Sequence, residues 1–198
     1  MIAGVVLAAG TSSRLGRPKQ LLDLGGKPVL RHVVDAALAS SLDQVIVVIG
    51  HVADDVRAAL PSDGRLRAVE NARYADGQST SLLAGLDAVD ANFDAIVVLL
   101  GDQPGVRASA IDAVLERYRG ERPTIVQASY SGRPAHPTLI DRELWPELLT
   151  LNGDEGARSI IELHRAGRAF VELGGEPPAD IDTEADYRAA SARLAPET

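Results

Sequence analysis

The chain has no cysteine, which excludes disulfides, thiolate metal sites and a cysteine nucleophile. That fits a reducing cytoplasm. No stretch approaches the roughly 20 apolar residues of a transmembrane helix. The apolar start, Ile2 to Ala9, is short and lacks a basic residue before it, so it does not read as a signal peptide. Cationic charge is scarce overall, with a formal net charge of −8. That argues against nucleic acid or an anionic membrane as a partner. No catalytic triad or dyad stands out, and neither does a Walker loop.

What is present is the balance of an ordinary globular domain, 45% hydrophobic and 24% charged over 198 residues. Disorder is not expected beyond the last few residues. Val5-Val6-Leu7, Val45 to Ile49 and Ala95 to Leu100 are short apolar runs, each closely followed by glycine. Such runs predict strands buried on both faces, hence a parallel sheet. Residues 28–40 and 80–90 carry apolar side chains at helical spacing. Ser109 to Asp112 predicts a capping box for a helix to about Tyr118, and Thr183 to Asp186 a second one. Thr124 to Ala128 and 168–173 read as strands, and 154–165 as a helix. Ser131-Gly132-Arg133-Pro134 is turn-like, and Pro137 interrupts another apolar stretch. The alternation predicts a single α/β domain with a mostly parallel central sheet flanked by helices.

Residues 1–22 hold Arg14, Arg17 and Lys19 and no acid. On an acidic chain such a patch suggests a small anionic ligand. The cations lie in Leu7-Ala8-Ala9-Gly10, Thr11-Ser12-Ser13 and the run to Lys19, where a buried strand leaves the sheet. Ligands of open α/β sheets bind at this carboxyl edge. Small residues let backbone amides approach phosphate, and hydroxyls and cations neutralise it. The loop lacks both the Gly-Lys-Ser/Thr ending and the three spaced glycines of a dinucleotide fingerprint. Asp102, in Gly101-Asp102-Gln103-Pro104, follows another buried strand and reaches the same edge. It reads as a turn residue or as a ligand for a hard cation such as magnesium. Asp180-Ile181-Asp182 puts two acids on one face of an extended segment, although Asp182 or Thr183 also suits a helix cap. Gln78 and Ser79 follow Gly77 before a helix, which fits either capping or contact with base, ribose or phosphate. His136 stands between two prolines, as a structural histidine would.

With these motifs the sequence resembles the molybdenum cofactor cytidylyltransferase type of nucleotidyltransferase over nearly its whole length. Leu7 to Gly10 with Arg14, Gly16 and Lys19 matches the wider family signature. Gly77-Gln78-Ser79, Gly101 to Pro104, Gly153 to Arg158 and Asp180 to Thr183 match this branch. The resemblance implies a Rossmann-like fold of one domain, 1–198. Residues 1–110 would bind the nucleotide. Residues 111–198 would bind the acceptor and supply a second metal ligand. Leu7, Ala8, Ala9, Gly10, Arg14, Lys19, Gln78 and Ser79 would hold a nucleoside triphosphate, with Arg14, Lys19 and Asp102 catalytic. Asp102 and Asp182 would bind Mg2+, and Arg133 and His136 the acceptor. The reaction implied joins a nucleoside monophosphate to the terminal phosphate of molybdopterin, and a molybdenum enzyme would be the client. Ala9 replaces the second glycine of guanylyl-transferring relatives, so CTP is expected over GTP. Leu15 and Ala135 depart from the usual methionine and glycine. The rivals are guanylyl or adenylyl transfer, a methylerythritol phosphate cytidylyltransferase, and a non-catalytic nucleotide-binding module.

Overall fold

The computed structural model describes residues 1–194; the last few residues, 195–198, where order was left open, lie outside it. Seven strands form one sheet in the order β3-β2-β1-β4-β6-β5-β7. They are β1 Ile2–Leu7, β2 Gln44–Ile49, β3 Leu66–Glu70, β4 Ala95–Leu100, β5 Ile125–Tyr130, β6 Arg133–Asp141 and β7 Arg168–Glu172. Every pairing is parallel except the two made by β6, which runs antiparallel between β4 and β5.

The continuous apolar runs are explained by two covering layers. Val45, Val47 and Ile49 pack on one face with α1 (Val29–Ala39) and α4 (Ala108–Glu121). Ile46 and Val48 pack on the other with α3 (Gln78–Asp87), joined by Leu144, Leu148 and Ile160 from α5 (Trp145–Leu148), α6 (Arg158–Leu163) and the turn before them. A strand covered on both sides has no polar face to alternate. Among the described residues no helix is long and apolar enough to cross a membrane.

The structure departs from the sequence reading in three places. The stretch containing Pro137 is a strand, β6, in the middle of the sheet. Register jumps from Gln127↔Thr138 to Ala128↔Ala135, so His136 and Pro137 sit in a bulge. A missing N–H does no harm there. The expected helix over 154–165 is broken. Gly156 has φ +55°, and only 158–163 is α-helical. Ser109 does not cap α4, which starts at Ala108 after Arg107 without a side-chain cap. Asp112 instead accepts hydrogen bonds from the backbone N–H and hydroxyl of Ser41 at 2.8 and 2.7 Å. The second capping box is present. Asp186 accepts from the Thr183 N–H at 2.8 Å, and the Thr183 hydroxyl accepts from the Asp186 N–H at 3.3 Å at the start of α7, Glu184–Leu194.

Candidate active site

Strand order reverses at β1, whose successor β2 lies on one side and β4 on the other. Such a switch point opens a crevice beyond the strand ends. Two clefts open there. The smaller, about 380 Å³, is lined by Leu7, Ala8, Ala9, Gly10, Lys19 and Asp102 among others. The larger, about 910 Å³, includes Gln103, Gln127, His136, Arg158, Arg168 and Asp180. Both volumes suit small-molecule ligands. Leu7, Gln78, Leu100 and Asp154 line both. Within the smaller cleft only Asp154 comes from beyond residue 110, whereas the larger draws on both halves of the chain.

The loop after β1 is shaped by its own side chains. Buried Gln20 donates from Nε2 to the Ala8 and Gly10 carbonyls at 3.1 and 2.9 Å. Ser12, at φ +56°, accepts the Leu15 and Gly16 N–H groups on its carbonyl, each at 3.0 Å. Its hydroxyl accepts from the Lys19 N–H at 3.0 Å. This turn brings Lys19 under the loop. Its ammonium donates to Asp102 Oδ2 at 2.5 Å and to Asp182 Oδ1 at 2.7 Å. Arg14 pairs with the other oxygen of Asp182 at 3.0 Å, and Arg17 with Glu184 at 2.8 Å.

The acids arrive from different places. Asp102 follows β4. Asp182 sits two residues before α7, in an extended segment anchored by buried Ile181, whose N–H donates to the Asp102 carbonyl at 3.0 Å. Thr183 and Asp186 do the capping, so the Asp182 carboxylate is left to Lys19 and Arg14. Asp180, on the outer face as the alternation implies, accepts from Gln103 Nε2 at 2.9 Å.

Charge states follow from this packing. Burial alone would lower the Lys19 pKa, but Asp102 and Asp182 outweigh it and hold the ammonium above its ordinary value. Burial raises the Asp102 carboxyl, against the opposing pull of Lys19. Burial lowers the His136 pKa. Its Nδ1 lies 3.2 Å from the Val98 carbonyl, which requires a donor, so the neutral ring carries its proton there.

Most residues singled out in the sequence converge here. Leu7 to Gly10, Lys19, Gln78 and Asp102 line the smaller cleft. Arg14 and Asp182 join them through ion pairs. Ser79 is fully buried at the first turn of α3, with no partner for its hydroxyl. His136 lines the larger cleft. Arg133 lines neither; it lies at the exposed start of β6, paired with Glu176. Sequence reasoning missed Gln20, Gln103, Gln127, Tyr74 and Arg168. Gln103 stands inside the Gly101–Pro104 motif without having been given a role and Gln20 directly follows Lys19, whereas Gln127, Tyr74 and Arg168 stand in no motif.

A divalent cation suits the donors present. Among the described residues no group of three or more His, Cys, Asp or Glu surrounds one point. Two carboxylates already share one cationic nitrogen, however. Magnesium-like ions are commonly held by one or two carboxylates, with water and substrate phosphate completing the shell.

Comparison with known proteins agrees with this geometry. Residues 4–169 match the model of the MobA-like NTP transferase domain. Nicotine blue oxidoreductase of Paenarthrobacter nicotinovorans is 36% identical, covering 94% of this chain and 95% of that protein. The crystal structure of Rv0371c from Mycobacterium tuberculosis in complex with manganese superposes with a TM-score of 0.81 at 34% identity, covering 96% of this chain and 97% of that one. A nucleotidyl transferase from Methanothermobacter superposes with a TM-score of 0.80 at 27% identity, covering 98% and 97%. The chain belongs to the MobA-like NTP transferase domain family and is a nucleotidyltransferase.

Proposed function

We propose that the smaller cleft binds a nucleoside triphosphate, with CTP preferred, and that the larger cleft presents the terminal phosphate of a molybdopterin-type acceptor to it. The observation that carries this reading is the seating of Lys19 between Asp102 and Asp182 beneath the loop that follows β1. A lysine and two carboxylates at a sheet edge are the equipment for a magnesium triphosphate.

An acceptor phosphate is largely ionised at neutral pH, its second pKa being about 6. Its oxygen attacks the α-phosphorus in line, forming a new P–O bond. The bond from that phosphorus to the bridging oxygen breaks, and pyrophosphate leaves with the electron pair. No proton need be abstracted, so no strong general base is required. Lys19 and Arg14 stabilise the departing charge, and the walls shared by the clefts hold the reactants in line. A divalent ion, Mg2+ in this reading, would be held by Asp102 and Asp182 and would add positive charge beside the phosphates.

In the larger cleft, the guanidinium of Arg168 offers donors to the acceptor, while neutral His136, its proton held at Nδ1 by the Val98 carbonyl, presents Nε2 as a hydrogen-bond acceptor. Arg168 donates to Gln127 Oε1 at 3.1 Å and keeps a buried Nε without a partner. Ala9 supports CTP, because a methyl group beside the base disfavours a purine. One such group is worth roughly 1–3 kcal/mol. Residues 1–110 would then carry the nucleotide, and 111–198 most of the acceptor site and the second metal ligand. A cytoplasmic setting and a molybdenum enzyme as client belong to the same reading.

The test is pyrophosphate release from CTP, GTP, ATP and UTP with molybdopterin, in Mg2+ and in Mn2+. CTP should turn over fastest. Preference for GTP would overturn the cytidylyl assignment, and no release from any triphosphate would overturn acceptor and reaction together. The oxidoreductase name of one relative prompts a control, acceptor reduction with a nicotinamide cofactor. The first loop lacks the spaced glycines of a dinucleotide site, and no reduction is expected.

A further inference from the structure

Tyr74 is the one aromatic among the described residues that line the smaller cleft. It lies in the short turn of residues 74–76, just before α3, and is half-buried. This turn is held hard in place. Buried Asn71 donates its N–H to the Ile49 carbonyl at 2.8 Å, tying the segment to the end of β2. The Asn71 side-chain amide donates to Thr80 Oγ1 at 2.9 Å and Ser81 Oγ at 3.0 Å, tying it to α3. Its carbonyls accept in turn. The side-chain oxygen takes the Arg73 N–H at 2.9 Å, and the main-chain oxygen takes the Tyr74 N–H at 3.3 Å.

The Tyr74 ring rests on Gly50. A Cβ at that position would lie 2.7 Å from Tyr74 Cβ and 2.9 Å from both Tyr74 Cδ1 and Ala9 Cβ. Only the bare Cα lets the ring settle beside the loop. The His51 ring supports it from 6.1 Å, inclined by 55°. The cleft therefore has a fixed aromatic wall beside Ala9, on the same cavity as Lys19 and Asp102.

We propose that Tyr74 stacks on the base of the bound nucleotide. This rests on the smaller cleft being the nucleotide site. Every base offers a π face, so the ring favours nucleobases in general, while Ala9 acts on their size. A ring already immobilised by Gly50, His51 and the Asn71 bonds has little freedom left to lose on binding.

The experiment compares CTP with inorganic tripolyphosphate, which has the charge and no base. Equilibrium binding of each, with Mg2+, is measured for the wild-type chain, Tyr74→Leu and Tyr74→Phe. Leucine keeps apolar bulk against Gly50 and removes the aromatic face. Tyr74→Leu should weaken CTP on the order of tenfold to a hundredfold, the scale of one lost base–aromatic stack. Tripolyphosphate should stay within about twofold of its wild-type value, and Tyr74→Phe should restore most of the CTP affinity. Equal weakening of both ligands would make Tyr74 structural and overturn the proposal. So would unchanged CTP binding in Tyr74→Leu. If the wild-type chain binds tripolyphosphate as tightly as CTP, the stacking wall is refuted while the phosphate loop stands. If it binds neither, the nucleotide cleft itself is refuted and the wall with it.

Discussion

Replacing Lys19 by methionine should damage the ligand-free protein and simultaneously create an appetite for divalent metal. The side chains of Lys19 and Asp102 are 14% and 19% exposed, so this pair is well shielded from water. Removing one partner of a buried pair costs about 3–5 kcal/mol, because the other charge is left unpaired. Asp182 is 30% exposed and keeps Arg14, which places the cost near the lower end, about 3 kcal/mol. For a chain of this size that is a fall in Tm of roughly 6–12 °C. Two carboxylates once bridged by an ammonium then repel each other, and a divalent ion answers both. At a hundred times its Kd such an ion restores about 2.7 kcal/mol. Thermal melts with increasing Mg2+ or Mn2+ and no nucleotide read this directly. The wild-type chain, with Lys19 in the way, should respond weakly, and Lys19→Met strongly. A mutant that melts with the wild type, or whose metal response is no larger, would refute both the ion-pair energetics and the shared metal position.

Asp102→Asn keeps the shape and removes the charge, so turnover should fall about a hundredfold; near-wild-type rates at limiting metal would reject Asp102 as a ligand. Thr183→Ala should cost about 1 kcal/mol of stability through the lost cap, with the metal dependence of turnover unchanged, whereas Asp182→Asn should raise the metal requirement. Gly77→Ala should lower Tm by at least twice as much as Gly153→Ala. Gly77 has φ +115° and ψ 166°, and an added Cβ would lie 2.4 Å from the Gly153 carbonyl, whereas Gly153 at φ +65° has open space. Burial depresses the His136 pKa, so the unfolded chain takes up the proton first as pH falls through about 6.5. Stability should therefore decline on acidification from that pH, and the decline should be shallower in His136→Gln; parallel curves would show that His136 does not contribute.

The central strands were legible because a parallel strand buried on both faces has one signature, an unbroken apolar run. β3 was not, since Leu66-Arg-Ala-Val-Glu70 at the sheet edge is short and charged. β6 was hidden by Pro137, whose tolerance depends on a bulge that only the pairing with β5 reveals. The break at Gly156 depends on a positive φ, which a glycine permits without announcing. Lys19, Asp102 and Asp182 were each visible within a motif. That one ammonium sits between the two carboxylates is a fact of topology, and no spacing encodes it. Arg133 was expected at the acceptor beside His136, yet the turn of Ser131 and Gly132 carries it to the exposed start of β6, while Arg168, a lone cation on a strand, lines the larger cleft.

The partners of Lys19 lie 83 and 163 positions further along the chain, and the second of them follows the last strand. During synthesis the loop leaves the ribosome well before Asp182, 163 positions further on. Until it emerges, Lys19 has one carboxylate partner, Arg14 has none there, and Leu22, Leu24 and Val29 lack the Ile181 side chain that closes their small cluster. A nascent chain stopped behind Pro178 would carry every strand of the sheet and still lack the second carboxylate of Lys19 and the partner of Arg14. The segment 180–187 thus works as a clasp fastened only after the last strand has been made.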